Sequence, residues 1–415
     1  MSQPRDHRRW FENLKSKGMN LGLERTKEYC DALEIQWPEH IIHVAGSNGK
    51  GSTCAYMVKM LEDCNISTLF FSSPHLIRVE ERIRYRGCPI SPSLFDHMLE
   101  YITSAIPDIK EHITYFEMTY LVSICCLSHL DVDVLILETG LGGRLDATRT
   151  APATCSLLTQ ISLEHVDILG PTIVDIAREK AGIARPCQPI FVRRPQLPEV
   201  EREIERVTQQ PHIVEIDQVQ GPANLTFIDL KQDIDYGSEA KTLALYVLNN
   251  YFDIHDLDPK FAVNWPGRNQ RLKYKHLTFI LEGAHNPSGM KKSLFHLETV
   301  LDHNYVLIFG SSPQDSLDDM IRPLVQFIGV KNPLEIILTC PEKGRYPAIQ
   351  PHLLAHYFEG MGIKTTQLTQ PFDALEHLFT RYQQPCNVLV IGSLYLQGNV
   401  LQHLGYDTDE HLSIQ

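Results

Sequence analysis

The chain has 415 residues, 43% of them hydrophobic and 21% charged, and a formal net charge of -13 at pH 7. That length exceeds one ordinary core and predicts two domains. The acidic balance excludes nucleic acid as main partner, because phosphate contacts demand a basic face. A membrane span is excluded too, since no apolar run approaches the ~20 residues a bilayer requires.

The amino terminus carries Arg5, Arg8 and Arg9, but Trp10, Phe11 and Leu14 follow at amphipathic spacing, not as the apolar block of a secretory signal. Ten cysteines, Cys125 and Cys126 adjacent and the rest single, show no C-x-x-C spacing. They predict reduced thiols and a cytoplasmic location. Monomer is the default expectation.

Residues 10 to 36 have helical periodicity, interrupted over 19–25. Ile41 to Ala45 then reads as a strand that ends in glycines, and Ser52 to Leu61 as the helix after it. Thr68 to Phe71 reads as a strand, Thr119 to Leu130 as a helix, and Val132 to Leu137 and Cys155 to Thr159 as strands. Strands alternating with helices predict a parallel, doubly wound α/β sheet covered on both faces. Asn264 to Arg268 is a turn signal, after which Leu277 to Leu281, Tyr305 to Gly310, Leu334 to Leu338 and Asn387 to Gly392 read as strands of a second, smaller α/β domain. The expected domains are residues 1–271, binding nucleotide, and 272–415.

Between the first strand and helix stands Gly46-Ser47-Asn48-Gly49-Lys50-Gly51-Ser52. Main-chain amides and the positive end of a helix make an anion site there. Lys50 is placed to reach terminal phosphates, and Ser52 to offer a hydroxyl to magnesium. The usual P-loop formula is not met, because Gly51 separates Lys50 from Ser52. The bland reading is a glycine-rich turn with an exposed lysine, and the strand and helix around the loop favour nucleotide binding. Glu138 follows an apolar strand at its carboxyl end, where ligands of open α/β sheets collect and where helix caps also occur.

This loop resembles that of the Mur ligase superfamily, and His43 to Ser52 is especially similar to folylpolyglutamate synthases and their dihydrofolate synthase relatives. Six further blocks agree in order: Phe71 to Leu76, Leu137 to Thr148, Glu179 to Ile183, Pro266 to Arg268, Gly283 to Pro287, and Gly392 to Leu396. The resemblance implies an ATP-dependent carboxylate–amine ligase that activates a pterin-bearing carboxylate as an acyl phosphate and joins it to L-glutamate. It implies Ser47, Asn48, Gly49, Lys50, Gly51 and Ser52 on ATP, joined by Arg268, Glu282 and His285. It also implies Mg²⁺, in two ions, held by Ser52, Ser73, Glu138, His165 and Lys180. The matching lysine of similar ligases is carbamylated by CO₂, which needs a neutral amine and an environment that lowers its pKa. The expected catalytic set is Lys50, Glu138, His165 and Lys180.

Thr114-Tyr115-Phe116-Glu117 fits two readings equally on composition: a platform for a pterin ring, or a helix start with a Thr/Glu cap. By resemblance it matches the dihydropteroate site of bifunctional bacterial enzymes, together with Asn20, Leu21, Leu145, Asp146 and Ala147. The resemblance therefore points to both activities, with dihydropteroate and tetrahydrofolate as acceptors of glutamate. Folylpolyglutamate synthase alone, or another Mur-type ligase, are the alternatives. The chain departs from the family pattern at Glu282, where aspartate is usual, at Glu239, where asparagine is common, and over Ser311 to Ser316, which lacks a lysine.

Overall fold

A computed structural model describes residues 4–16, 18, 22–212, 217, 219–231, 234–254, 263–314, 316–344 and 346–415. Two compact units divide the chain. The first is Met1–His75 with Val79–Val263 and Ile414–Gln415, and the second is Leu76–Arg78 with Asn264–Ser413. Residues 264–271, expected in the first domain, belong to the second, because a strand at Gln270–Tyr274 pairs antiparallel with Leu277–Glu282.

The sheet of the first unit comprises β1 (His40–Ala45), β2 (Thr68–Phe71), β3 (Ile83–Tyr85), β4 (Cys88–Pro89), β5 (Val134–Glu138), β6 (Cys155–Leu158), β7 (Pro189–Arg193) and β8 (Asn224–Ile228), in the order β4-β3-β2-β5-β1-β6-β7-β8. All pairings among β2, β5, β1, β6, β7 and β8 are parallel. Ile41 to Ala45 and the whole of β5 are buried, as expected of strands covered on both faces. The chain lays β5 on one side of β1 and β6 on the other, so the carboxyl end of β1 is a topological switch point, where crevices open in such sheets. The β3–β4 hairpin was not legible in sequence: its two turn residues, Arg86 (φ +50°) and Gly87 (φ +75°), lack the usual Asn-Gly signal.

Local capping sets several helix starts. Thr114 accepts from the Glu117 N–H at 3.3 Å, while Glu117 accepts from the Thr114 N–H at 2.8 Å. This reciprocal cap begins the helix at Tyr115, so it spans Tyr115–Cys125 and not residues 119–130. Among the described residues no helix is long and apolar enough to cross a membrane.

The second unit adds β9 (Gln270–Tyr274), β10 (Leu277–Glu282), β11 (Tyr305–Phe309), β12 (Glu335–Leu338), β13 (Thr365–Gln367) and β14 (Cys386–Ile391), ordered β13-β12-β11-β14-β10-β9. Its core packs Phe279, Leu281, Val306, Ile308, Val388 and Val390 on one sheet face, and Ile280, Leu307, Phe309 and Leu389 on the other.

A fully buried carboxylate, Glu335, opens β12. It receives Lys364 at 2.9 Å, Tyr382 Oη at 2.8 Å, His377 at 3.2 Å, Arg381 at 3.2 Å and the Thr366 hydroxyl. Burial alone would raise its pKa, but these donors outweigh burial and bring it down to about 2. A depressed carboxyl stabilises the fold above its unfolded value of about 4.3, and that contribution is lost as pH falls toward the folded value. Acid unfolding of Glu335→Gln is therefore expected to be flatter than that of wild type between about pH 4.5 and 2. Identical acid transitions would refute the assignment.

Candidate active site

The carboxyl ends of β2, β5, β1 and β6 are consecutive in the sheet; Glu138 is the last residue of β5, and the loops leaving the other three carry Ser73, the phosphate loop and His165. Val44 stands opposite Glu138 in the β1–β5 register, which fixes the carboxylate beside the root of the loop. Glu138 is buried, and its Oε2 accepts the Ser73 N–H at 3.4 Å.

The phosphate loop is tied to the segment after β6. Ser47 N–H donates to the Gln160 carbonyl at 2.7 Å, the Ser47 hydroxyl to the Ser162 carbonyl at 3.0 Å, and the Thr159 hydroxyl to the Asn48 carbonyl at 2.8 Å. Gly46 lies at φ +151°, and a Cβ there would meet Thr159 Oγ1 at 1.9 Å, so only glycine allows this approach. The helix Lys50–Asp63 starts at once, with no side chain capping it, so its first N–H groups have no intrahelical partner.

Two lysines converge on one carbonyl. Lys50 Nζ donates to Gly46 O at 2.8 Å and Lys180 Nζ donates to it at 2.9 Å. Lys180, near the end of the helix Ile173–Ala181, is 2% exposed and pairs with Glu164 Oε1 at 2.7 Å. Burial lowers the Lys180 pKa; Glu164 opposes that shift and Lys50 adds to it. The Glu164 carboxyl would be raised by burial, but Lys180, Lys50 and His165 bring it down to about 2. His165 is exposed, with left-handed backbone (φ +48°, ψ +43°), a conformation uncommon for a non-glycine residue and frequent at functional sites. Glu138 and Lys50 both act on the buried Cys54 thiol, which places that carboxylate and that ammonium in one electrostatic neighbourhood.

Among the described residues no group of three or more His, Cys, Asp or Glu side chains could hold an ion by itself. The donors present are a buried carboxylate, serine hydroxyls and one imidazole beside an anion loop. Such a set fits a hard cation shared with phosphate oxygens and water better than an all-protein cage.

No family model matches the chain. It is 41% identical over 190 residues to the dihydrofolate synthase/folylpolyglutamate synthase of Escherichia coli (strain K12), covering 46% of this chain and 44% of that one. This first match thus spans under half of the relative's length. The enzyme of the same name from Bacillus subtilis (strain 168) is 28% identical over 443 aligned positions, covering 96% of this chain and 98% of that one. A crystal structure of bifunctional folylpolyglutamate synthase/dihydrofolate synthase from Yersinia pestis, complexed with AMPPNP and a manganese ion, superposes with a TM-score of 0.80 at 25% identity, covering 98% of both chains.

Along nearly its whole length the chain is similar to enzymes of the folylpolyglutamate synthase/dihydrofolate synthase family. Within that family's pattern, the blocks of the first unit meet at one sheet edge, and those of the second unit gather at the end of β10. There Arg268 Nη1 donates to Gly283 O at 3.0 Å and His285 Nδ1 donates to the same carbonyl at 2.7 Å. Burial raises the Glu282 carboxyl, against the pull of Arg268.

The pterin-side block proves more structural than its composition suggested. Thr114 and Glu117 cap each other, and Glu117 also accepts the Thr26 hydroxyl at 3.2 Å. Tyr115 stacks on Phe11 at 4.5 Å, with Arg82 and Lys15 over its ring, while its buried hydroxyl has no hydrogen-bond partner among the described residues. Phe116 packs edge to face on Phe71 and fills the space over Gly140. Asp146, expected to contact substrate, is 4% exposed with both oxygens engaged: Oδ2 by Gly140 N–H and Leu141 N–H at 2.9 Å each, Oδ1 by Thr148 N–H at 3.1 Å and the Thr148 hydroxyl. Ala147 is buried in the core and Leu145 is half-buried. Asn20 and Leu21 lie outside the described residues.

Glu239 lies in the first turn of the helix Tyr236–Tyr251, where Arg193 from the end of β7 pairs with it at 3.2 Å. The glutamate at this family asparagine position thus has its own counter-ion. Sequence reasoning missed Glu164, Thr159 and Ser162. The available signal for Glu164 was a carboxylate directly before His165, and nothing in the sequence announced its pairing with Lys180.

Proposed function

We propose that the protein is a bifunctional dihydrofolate synthase/folylpolyglutamate synthase, which uses ATP to couple L-glutamate to dihydropteroate and to tetrahydrofolate glutamates. The observation that carries this reading is the convergence of the phosphate loop, Glu138, Lys180 and the His165 segment at one sheet edge. The curated relatives' names and the AMPPNP and manganese of the Yersinia pestis complex support it.

In this mechanism the loop amides from Ser47 to Ser52 and the Lys50 ammonium bind the triphosphate and balance charge developing on the transferring phosphoryl group. Ser52, Ser73, Glu138 and His165 would hold Mg²⁺, with Lys180 as the ligand of a second ion if carbamylated. That cation supplies charge neutralisation across the phosphate oxygens. The substrate carboxylate attacks the γ-phosphorus and ADP leaves, giving an acyl phosphate. The glutamate amine then attacks the acyl carbon, loses a proton and expels phosphate, which forms the amide. Tyr115 and Phe116 line the pteridine side, and Asp146 organises the loop beneath it. Arg268, Glu282 and His285 keep the nucleotide-contacting role that the family pattern implies.

The test is glutamate-dependent ADP release, measured separately with dihydropteroate, tetrahydrofolate and a muramoyl nucleotide. Turnover with the first two and none with the third is expected. Turnover with tetrahydrofolate alone would remove the dihydrofolate synthase half, and turnover with the muramoyl nucleotide alone would overturn the assignment.

A further inference from the structure

His43 lies in the middle of β1, fully buried, one residue before the strand position opposite Glu138. Its Nε2 is 2.8 Å from the Thr148 hydroxyl oxygen, and its Nδ1 is buried without a hydrogen-bond partner among the described residues. The neighbouring bonds fix the direction of this contact. Burial raises the Asp146 carboxyl, but three main-chain N–H donors, which only acceptor oxygens can take, oppose that and favour the carboxylate, and the remaining contact takes the single hydroxyl proton of Thr148. Thr148 Oγ1 can then only accept from the ring, so Nε2 carries the proton and Nδ1 does not. Burial, with Arg149 nearby, lowers the His43 pKa to about 3 and keeps the ring neutral.

The far end of this chain of bonds is the turn that leaves Glu138. Asp146 Oδ2 gathers the N–H groups of Gly140 and Leu141 at 2.9 Å each, and the Thr139 N–H is held by Val44 O at 3.0 Å. The same turn then meets the helix that bears Lys180. A Cβ at Gly143 would lie 2.9 Å from Lys180 O, and the Arg144 N–H donates to Glu179 O at 2.8 Å. The segment from Glu138 to Arg144 is therefore the physical link between the buried carboxylate and the buried lysine.

We propose that His43 is a positioning residue of the active site: its Nε2–H donor orients Thr148, Thr148 orients Asp146, and Asp146 holds the Gly140–Leu141 turn that sets Glu138 relative to Lys180. This rests on the ligase reading above for its catalytic consequence, but not for its structural one. The residue touches no substrate, and its effect passes through two other side chains.

The experiment compares His43→Leu, His43→Gln and Thr148→Val by two readouts: kcat and KM in glutamate-dependent ADP release, and amide hydrogen exchange of the peptide covering residues 139–143. Glutamine places an N–H near the position of the ring Nε2, whereas leucine fills space without one. His43→Leu is expected to lose about tenfold in kcat, since a misplaced group can cost on the order of a hundredfold, and to speed exchange at Gly140 and Leu141. His43→Gln is expected to restore both.

Thr148→Val, close in volume to the native residue, carries the same test should the leucine variant fail to fold. If the relay is real, the His43→Leu/Thr148→Val double variant loses no more than either single one. Equal losses in His43→Leu and His43→Gln, or unchanged exchange in His43→Leu and Thr148→Val, would overturn it. Exchange reports on the relay whatever the substrate is, so absence of ligase activity in the wild type would count against the functional reading alone.

Discussion

Glu138→Gln is expected to lower kcat/KM for glutamate-dependent ADP release by about a thousandfold, in line with the loss of a preorganised charge at a phosphoryl-transfer site, with thermal unfolding little changed. Glutamine keeps the volume of a residue buried at the end of β5, and its carbonyl can still accept the Ser73 N–H. Only the negative charge goes. Lys50 and Lys180 share the Gly46 carbonyl close by, and under the proposed function that charge would let the edge hold a cation and a polyphosphate together. Full activity in Glu138→Gln at saturating Mg²⁺ would remove the carboxylate from the reaction. A large fall in melting temperature would instead make it a structural residue.

Lys180→Ala is expected to abolish ligation and also to destabilise the first unit by about 3 kcal/mol, the lower end of the cost of stranding a buried charge. The lower end applies because Lys50 still acts on Glu164. In the wild type the Glu164 carboxyl is held down to about 2, so its contribution is present above the unfolded carboxyl value of about 4.3 and fades as pH falls toward 2. Loss of Lys180 removes the main force that depresses it. The stability gap between variant and wild type should therefore be widest near neutrality and narrow below about pH 4.

Adding Glu164→Gln to Lys180→Ala should recover most of the stability and none of the activity, which separates the ion pair from the chemistry. Formate or acetate added to Lys180→Ala is expected to restore part of the turnover if the lysine works as a carbamate. Turnover in the unsupplemented variant near that of wild type would sink the role outright.

Much of the crevice could be read directly from the chain. The phosphate loop, Glu138 and the apolar strands behind them are local signals: a run of buried β residues, a glycine turn and a helix start need no distant partner to be recognised. Thr114 to Glu117 shows where local reading stops. The same four residues suit a ligand platform or a helix cap, and only the two reciprocal hydrogen bonds, with Thr26 donating from far along the chain, show the carboxylate already engaged. Asp146 is a similar case, because no pattern in Leu145-Asp146-Ala147 reveals that four donors surround its carboxylate.

The order of the strands is the larger matter that local signals leave open. Alternating strands and helices imply a parallel sheet, yet not that β5 inserts between β2 and β1, or that β6 takes the other flank of β1. That order brings Ser73, Glu138, Lys50 and the His165 segment together, and it rests on long-range packing of apolar faces, which periodicity does not encode pair by pair. The sequence by itself determined the elements and the chemistry of the groups this protein has available: an anion loop, a carboxylate, an imidazole and two lysines. Tertiary structure alone decided which of them meet. Lys180 became a buried partner of Glu164 and Gly46, and His43 a buried partner of Thr148, because contact between residues distant in the chain is set by the packed core and not by neighbours in sequence.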